Sequence, residues 1–123
     1  MDKKNILIVE DEATLHKALL DYLTMEGFNC LSAMDGEMAV ELARNKKPDL
    51  IILDIILPRK DGYEVLEELK KDSKTKEIPV IVLTNLESPE DIQKAFDRGA
   101  KTYLVKSDFK LEEVVKKIKE NLK

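Results

Sequence analysis

The run Asp49 to Pro58, Asp-Leu-Ile-Ile-Leu-Asp-Ile-Ile-Leu-Pro, restricts the folds open to this chain more than any other stretch. Four consecutive aliphatics, Leu50 to Leu53, leave no polar side, so they suit a strand buried on both faces, as in the centre of a parallel sheet. They stop at Asp54, a carboxylate that burial penalises unless something pairs with it. Three more aliphatics and Pro58 follow. The charge is thereby held at the carboxyl edge of the sheet, where open α/β sheets bind ligands.

Four further apolar runs alternate with helical patterns. Ile6 to Val9 reads as a short strand ending on Glu10-Asp11-Glu12, and a helix starts with these acids in or near its first turn, where they complement its dipole. Leu15, Leu19, Leu20 and Leu23 supply the apolar face of that helix and Gly27 stops it. Phe28 to Ala33 reads as a second strand, and Asp35-Gly36 turns into a helix with Ala39, Val40, Leu42 and Ala43 inward. Beyond the central strand, Gly62 to Leu69 starts a third helix on Val65, Leu66 and Leu69, and Lys70 to Glu77 is a charged connection. Pro79 opens a strand over Val80 to Leu83 that ends in Thr84. Ser88 caps a helix with Pro89 at its first position, Ile92, Ala95 and Phe96 as its inner stripe and Gly99 as its stop. Thr102 to Val105 is the fifth strand, ending at Lys106, and Leu111, Val114, Val115, Ile118 and Leu122 give the last helix its spacing. Five strand–helix units predict an α/β fold, a doubly wound five-stranded parallel sheet with helices on both faces. The alternation defines the class, not the strand order.

A length of 123 residues suits a single domain over 1–123. With 25 acidic and 21 basic residues the net charge is −4, which argues against nucleic acid as the main ligand. The lone Cys30 cannot form an internal disulfide and has apolar neighbours, so it reads as a core or near-core thiol in a reducing, cytoplasmic setting. The charged start, Met1 to Asn5, leads into too few aliphatics for a signal peptide or a membrane span. His16, the only histidine, is expected on the first helix at the surface or a boundary.

Parallel strands all point one way, so Glu10, Asp11, Asp54, Thr84 and Lys106 can converge on one edge. Three close carboxylates repel, each close pair by on the order of several kcal/mol at an effective dielectric constant near 20. A hard divalent cation relieves that repulsion, and carboxylate oxygens with room for water suit Mg²⁺. Lys106 and Thr84 make sense once a phosphoryl group is added, with metal and ammonium neutralising its oxygens, the hydroxyl donating to one, and Asp54 as in-line nucleophile.

With these residues in place the sequence resembles the receiver domains of two-component response regulators, over essentially the whole chain. The matching pieces are Ile-Leu-Ile-Val-Glu-Asp-Glu at 6 to 12, Asp-Gly-Glu-Met-Ala at 35 to 39, Pro-Asp-Leu-Ile-Ile-Leu-Asp at 48 to 54, Leu57-Pro58 with Asp61-Gly62, Pro79 to Thr84, Gly99-Ala100, and Tyr103-Leu-Val-Lys106. The resemblance implies a flavodoxin-like strand order 2-1-3-4-5, the order for which receivers are a standard example. It implies that Asp54 accepts a phosphoryl group from the phosphohistidine of a sensor histidine kinase or a phosphotransfer protein, without being a turnover enzyme. Mg²⁺, or Mn²⁺, is then held by Asp11, Asp54 and the backbone carbonyl of Ile56, and by Glu10 through water. Thr84, Lys106 and the Asn85 backbone N–H hold the phosphoryl oxygens. Tyr103 resembles the family's aromatic switch residue, turning inward as Thr84 moves and biasing the face of the fourth helix, fifth strand and last helix toward a downstream protein partner. The chain is then a monomer or a weak, phosphorylation-dependent dimer.

Three departures qualify the resemblance. Glu10 stands where many relatives have Asp. Ser107 stands where many have Pro, so a trans bond after Lys106 is expected. Lys101-Thr102 replaces the acidic pair typical of receivers that drive winged-helix DNA-binding domains. Ile56 and Leu86, two residues after Asp54 and Thr84, are expected to flank the site and to slow the attack of water on an aspartyl phosphate. Two other readings compete. An Asp-nucleophile phosphatase needs a second acid where Ile56 stands, and a phosphorylation-independent interaction domain needs no intact acceptor.

Overall fold

A computed structural model describes residues 3–122 of the chain; Met1 and Asp2 of the charged start, and Lys123, lie outside the described residues. The elements alternate as expected: β1 (Asn5–Val9), α1 (Ala13–Met25), β2 (Asn29–Ala33), α2 (Gly36–Lys46), β3 (Leu50–Leu53), α3 (Gly62–Lys71), β4 (Val80–Thr84), α4 (Pro89–Asp97), β5 (Thr102–Val105) and α5 (Leu111–Asn121). A single 3-10 turn, Lys106–Asp108, joins β5 to α5.

All strands are parallel, in the order β2-β1-β3-β4-β5. This is the five-stranded, doubly wound flavodoxin-like order that the resemblance implied. The register aligns Val9 with Leu53, Leu53 with Val82, and Thr84 with Val105, so the carboxyl ends of the strands finish at one edge. Three aliphatic strands fill the middle because each buries side chains toward both faces. Leu7, Val9, Ile51, Leu53, Val80 and Val82 meet α2, α3 and α4, through Ala39, Ala43, Val65, Leu66, Leu69 and Ala95. Ile6, Ile8, Leu50, Ile52, Ile81 and Leu83 meet α1 and α5 on the other face, through Leu19, Leu23, Val114, Val115 and Ile118. The strand period of two sorts one run of aliphatics into both cores.

The helix signals act where the sequence puts them. Asp35 caps α2 through the Met38 amide, Asp61 and Glu64 make a reciprocal box at α3, and Ser88 caps α4 through the Asp91 amide ahead of Pro89. Gly27 and Gly99 end α1 and α4 with φ of 96° and 104°, a region that costs residues with a Cβ.

Four details depart from the sequence reading. The acids after β1 precede α1 rather than entering its first turn; Glu12 sits at the cap position, and its amide is taken by a Glu10 carboxylate oxygen at 2.9 Å. Lys70 and Lys71 continue α3, and the Lys70 ammonium then turns back onto the Lys76 and Ile78 carbonyls. Phe96 is 41% exposed, so only Ala95 of the expected α4 stripe is fully buried. The α4 helix packs over the half-buried strand β5, too narrow a support to cover a ring two positions past Lys94. His16 is buried, not superficial, because its ring bridges the Glu10 carbonyl just past β1 and Ser32 on β2. The remaining backbone expectation holds, with no cis peptide bond among the described residues.

Candidate functional site

Asp54 is the first residue past β3, and its amide still donates to the Val9 carbonyl of the neighbouring strand at 3.1 Å. This carries the strand geometry one residue beyond the last aliphatic and fixes where the carboxylate emerges. The next turn of chain is equally constrained. The Gly62 amide donates to the Ile55 carbonyl at 2.8 Å, and a Cβ on Gly62 would lie 2.5 Å from the Asp54 carbonyl oxygen. A glycine is therefore required for α3 to start directly beneath Asp54.

The edge brings the expected charges together. The Lys106 ammonium, on a side chain only 11% exposed, lies 2.8 Å from Asp54 Oδ2 and 2.9 Å from Glu10 Oε1, with Glu12 Oε1 at 3.8 Å. Glu10 and Asp54 are buried and Asp11 is exposed, and one carboxylate oxygen from each of the three lies within 4.8 Å of the others. Burial pushes the Glu10 carboxyl above its ordinary pKa, the Lys106 ammonium and the Glu12 amide pull it down, and the Asp54 charge adds to the rise. Burial alone disfavours charge on Lys106, but its hydrogen bonds to Asp54 and Glu10 outweigh that and raise its pKa. One ammonium thus offsets only part of three carboxylates. The donor set, all carboxylate and open on the Asp11 side, fits a hard divalent cation such as Mg²⁺.

Thr84 closes β4 at the same carboxyl edge and is fully buried, and its Oγ1 has no hydrogen-bond partner among the described residues. A buried hydroxyl without a partner costs about 1–3 kcal/mol, so its presence asks for a ligand or a function. Asn85 is exposed and shares the wall of an open groove of about 500 Å³ with Lys106, Ser107 and Phe109. Ile56 is 57% exposed, and its amide points back at Asp54 Oδ1 over 3.3 Å. Leu86 is half-buried against the core.

Tyr103 on β5 is half-buried, with its ring centroid 6.3 Å from that of Phe96 on α4. Its hydroxyl donates to the Leu86 carbonyl at 2.7 Å, so β5 is tied to the loop that leaves Thr84. Burial first, then the neighbouring Tyr63, Asp91 and Asp54, push the phenol up to about 12. Two contributors escaped sequence reasoning. Glu12 reaches toward Lys106, and His16 clasps the Glu10 carbonyl. A histidine one turn into an acidic-capped helix, at a position where the heptad-like spacing calls for an apolar residue, was the available signal for the second.

The fold and this charged edge define a class, and comparison with known proteins agrees. Residues 6–119 match the family model described as the response regulator receiver domain, and the chain belongs to that family of two-component signalling domains. Among solved structures it is similar to a CheY-like receiver domain protein from Methanospirillum hungatei, at 28% identity and a TM-score of 0.91, covering 98% of this chain and 94% of that one. It is similar also to the receiver domain of the sensor histidine kinase PA1611 from Pseudomonas aeruginosa, whose structure has a magnesium ion coordinated in the active-site cleft. There the identity is 29% and the TM-score 0.85, with 98% of each chain covered. Among curated sequences it is 38% identical over 114 residues to the DNA-binding dual master transcriptional regulator RpaA of Synechocystis, covering 93% of this chain and 47% of that protein. The chain spans about half or less of the length of the first curated relatives it matches, 43%, 40% and 54%. No helix among the described residues is long and apolar enough to cross a membrane.

Proposed function

We propose that residues 1–123 act as one phosphoacceptor unit, in which Asp54 takes a phosphoryl group from the phosphohistidine of a sensor histidine kinase or a histidine phosphotransfer protein. The observation that carries this reading is the pairing of two incomplete groups at one edge. A buried carboxylate cluster is only partly neutralised, and the buried Thr84 hydroxyl at the end of β4, on the same edge of the sheet, lacks a hydrogen-bond partner among the described residues. A phosphoryl group on Asp54 with a divalent cation completes both.

In the transfer, the N–P bond of the donor breaks as a bond forms between phosphorus and an Asp54 carboxylate oxygen, and the imidazole leaves. The step needs no general base, since a carboxylate oxygen attacks phosphorus directly without first giving up a proton. Asp11, Asp54 and the Ile56 carbonyl would hold Mg²⁺ or Mn²⁺. Glu10 would act through water, consistent with its two oxygens being engaged by Lys106 and the Glu12 amide. When bound, the cation supplies charge neutralisation to the transferring oxygens. Lys106 exchanges its contact with Asp54 for a phosphoryl oxygen while Glu10 keeps it in place. Thr84 and the Asn85 amide donate to the remaining oxygens.

The readout follows from the tie between Tyr103 and Leu86. Movement of Thr84 toward the phosphoryl group drags the loop whose carbonyl holds Tyr103, and the α4-β5-α5 face shifts with it, presenting a changed surface to a downstream protein. Ile56 and Leu86 lie beside the path of attacking water and tune how long the phosphoryl group stays. As in receivers generally, the chemistry is confined to this chain's own phosphorylation and dephosphorylation, without turnover of a separate substrate.

The experiment is a beryllofluoride titration of the purified chain with and without Mg²⁺, followed by backbone amide NMR. The expected result is a set of shifts that need Mg²⁺, vanish in Asp54→Asn, and extend from Thr84 through Tyr103 to α5. A folded chain that gives no such response contradicts the proposal.

A further inference from the structure

His16 is the buried titratable group that the proposed reaction leaves without a role. It sits one turn into α1 and is 6% exposed, yet neither of its ring nitrogens serves the helix. Nδ1 lies 2.7 Å from the Glu10 carbonyl oxygen and Nε2 lies 2.7 Å from Ser32 Oγ on β2. A carbonyl oxygen only accepts, so Nδ1 carries a proton and donates it there, leaving Nε2 to face a hydroxyl that can adapt.

The consequence lies in which peptide is held. The Glu10 amide donates to the Ala33 carbonyl at 3.1 Å, and the Glu10 carbonyl accepts from His16. The residue is thus gripped from β2 on one side and from α1 on the other, one position after β1 ends. That carbonyl belongs to the peptide joining Glu10 to Asp11, whose side chains take different directions. Glu10 goes inward to Lys106 and Asp11 goes outward to meet Asp54. Rotation of this one peptide plane would carry the Asp11 carboxylate away from Asp54, and the loop has no other side chain on that carbonyl among the described residues. An aliphatic side chain would satisfy the packing of α1 without burying two polar nitrogens, so packing alone does not account for a histidine here.

We propose that His16 is a positioning residue for the cation site: by donating to the Glu10 carbonyl it orients the Glu10–Asp11 peptide and so sets the Asp11 carboxylate beside Asp54. The inference rests on the reading of this edge as a Mg²⁺ site. His16 touches neither cation nor phosphoryl group and acts only through Glu10.

The two ring nitrogens can be separated by substitution. Asn places an amide near the position of Nδ1, so His16→Asn keeps the bond to Glu10 and gives up Ser32. Gln reaches the position of Nε2, so His16→Gln keeps Ser32 and gives up Glu10. Mg²⁺ alone is titrated into each variant, into His16→Leu, into Ser32→Ala and into the unaltered chain, by calorimetry and by amide NMR at one pH. The expected result is near-unaltered affinity in His16→Asn and Ser32→Ala, and affinity weakened about tenfold in His16→Gln and His16→Leu. In the absence of metal, the Asp11 amide nitrogen shift should move in His16→Gln and stay in His16→Asn, because it reports the hydrogen bond on its own peptide carbonyl. Equal Mg²⁺ affinity in Asn and Gln variants, whatever their folding stability, overturns the proposal and leaves the site reading standing. Failure of the unaltered chain to bind Mg²⁺ overturns both. Should His16→Leu not fold, the Asn and Gln pair decides alone.

Discussion

Replacing Lys106 by Met tests the electrostatics of the site through stability alone. The substitution keeps the length of the side chain and removes its charge, leaving Glu10 and Asp54, 1% and 4% exposed, without their common partner. The two contacts, at 2.8 and 2.9 Å, are each worth about 6 kcal/mol at an effective dielectric constant near 20, before desolvation is subtracted. Desolvation removes much of this, and breaking a buried pair by deleting one partner costs about 3–5 kcal/mol. Because the exposed Asp11 side admits water, the lower figure, about 3 kcal/mol, is the expectation. With an unfolding entropy of roughly 2.1 cal/mol/K for each of the 123 residues, this lowers the melting temperature by about 12 °C.

The pH dependence gives the loss its signature. Without the ammonium, the Glu10 carboxyl, which burial already raises, goes higher still, so in the folded state it binds its proton more tightly than in the unfolded chain. Stability from such groups is fully present below the unfolded pKa and is lost as pH rises through the folded one. The deficit of Lys106→Met should therefore be small near pH 4 and grow toward pH 7, and adding Asp54→Asn should recover a large part of it. The assay is thermal unfolding by circular dichroism in a chelator, across that range. A melting temperature within about 3 °C of the unaltered chain near pH 7, or a deficit equal at both ends of the range, refutes the argument.

Three more predictions use other parts of the site. Thr84→Val removes a buried hydroxyl with no partner among the described residues, so it should raise stability by about 1 kcal/mol in urea denaturation while abolishing the beryllofluoride response. Gly62→Ala places a Cβ 2.5 Å from the Asp54 carbonyl oxygen and 2.6 Å from Ile55 Cα, both backbone atoms unable to step aside, and should cost about 1–3 kcal/mol by the same measurement. Tyr103, pushed up to about 12 from 10.0, should be the last tyrosine to ionise in an ultraviolet titration. Its folded pKa is raised, so its share of stability is whole below pH 10 and is lost as pH rises toward 12. In Tyr103→Phe the late titration step and that part of the alkaline destabilisation should both vanish.

Fold class and strand boundaries were legible because they depend on local periods. An aliphatic run such as Leu50 to Leu53 can only be satisfied between two helix layers, and Asp35, Asp61 and Ser88 declare helix starts through bonds to amides three positions on. The convergence of charges was legible too, since parallel strands must deliver Glu10, Asp54 and Lys106 to the same edge. Phe96 misled because helical spacing says which side of α4 faces the sheet but not how far the sheet extends beneath it, and β5 is its edge. His16 misled for the opposite reason. A polar residue on a helix is scored as exposed until a partner is known, and its partners, Glu10 just past β1 and Ser32 on β2, are set against α1 only by folding.

What the sequence determined by itself was thus the alternation of elements, their caps and the inventory of charged groups at the carboxyl edge. Periods of 2 and 3.6 residues and bonds a few positions apart are written in a linear chain. Which group pairs with which was decided only by the tertiary structure, through strand register and helix packing. These gave Lys106 two buried carboxylates at once, left the Thr84 hydroxyl without a partner among the described residues, and set the imidazole of His16 behind the Glu10–Asp11 peptide. Such pairings join residues as far apart as Glu10 and Lys106, and distances of a few tenths of an ångström, set by the packing of the whole domain, determine whether they form.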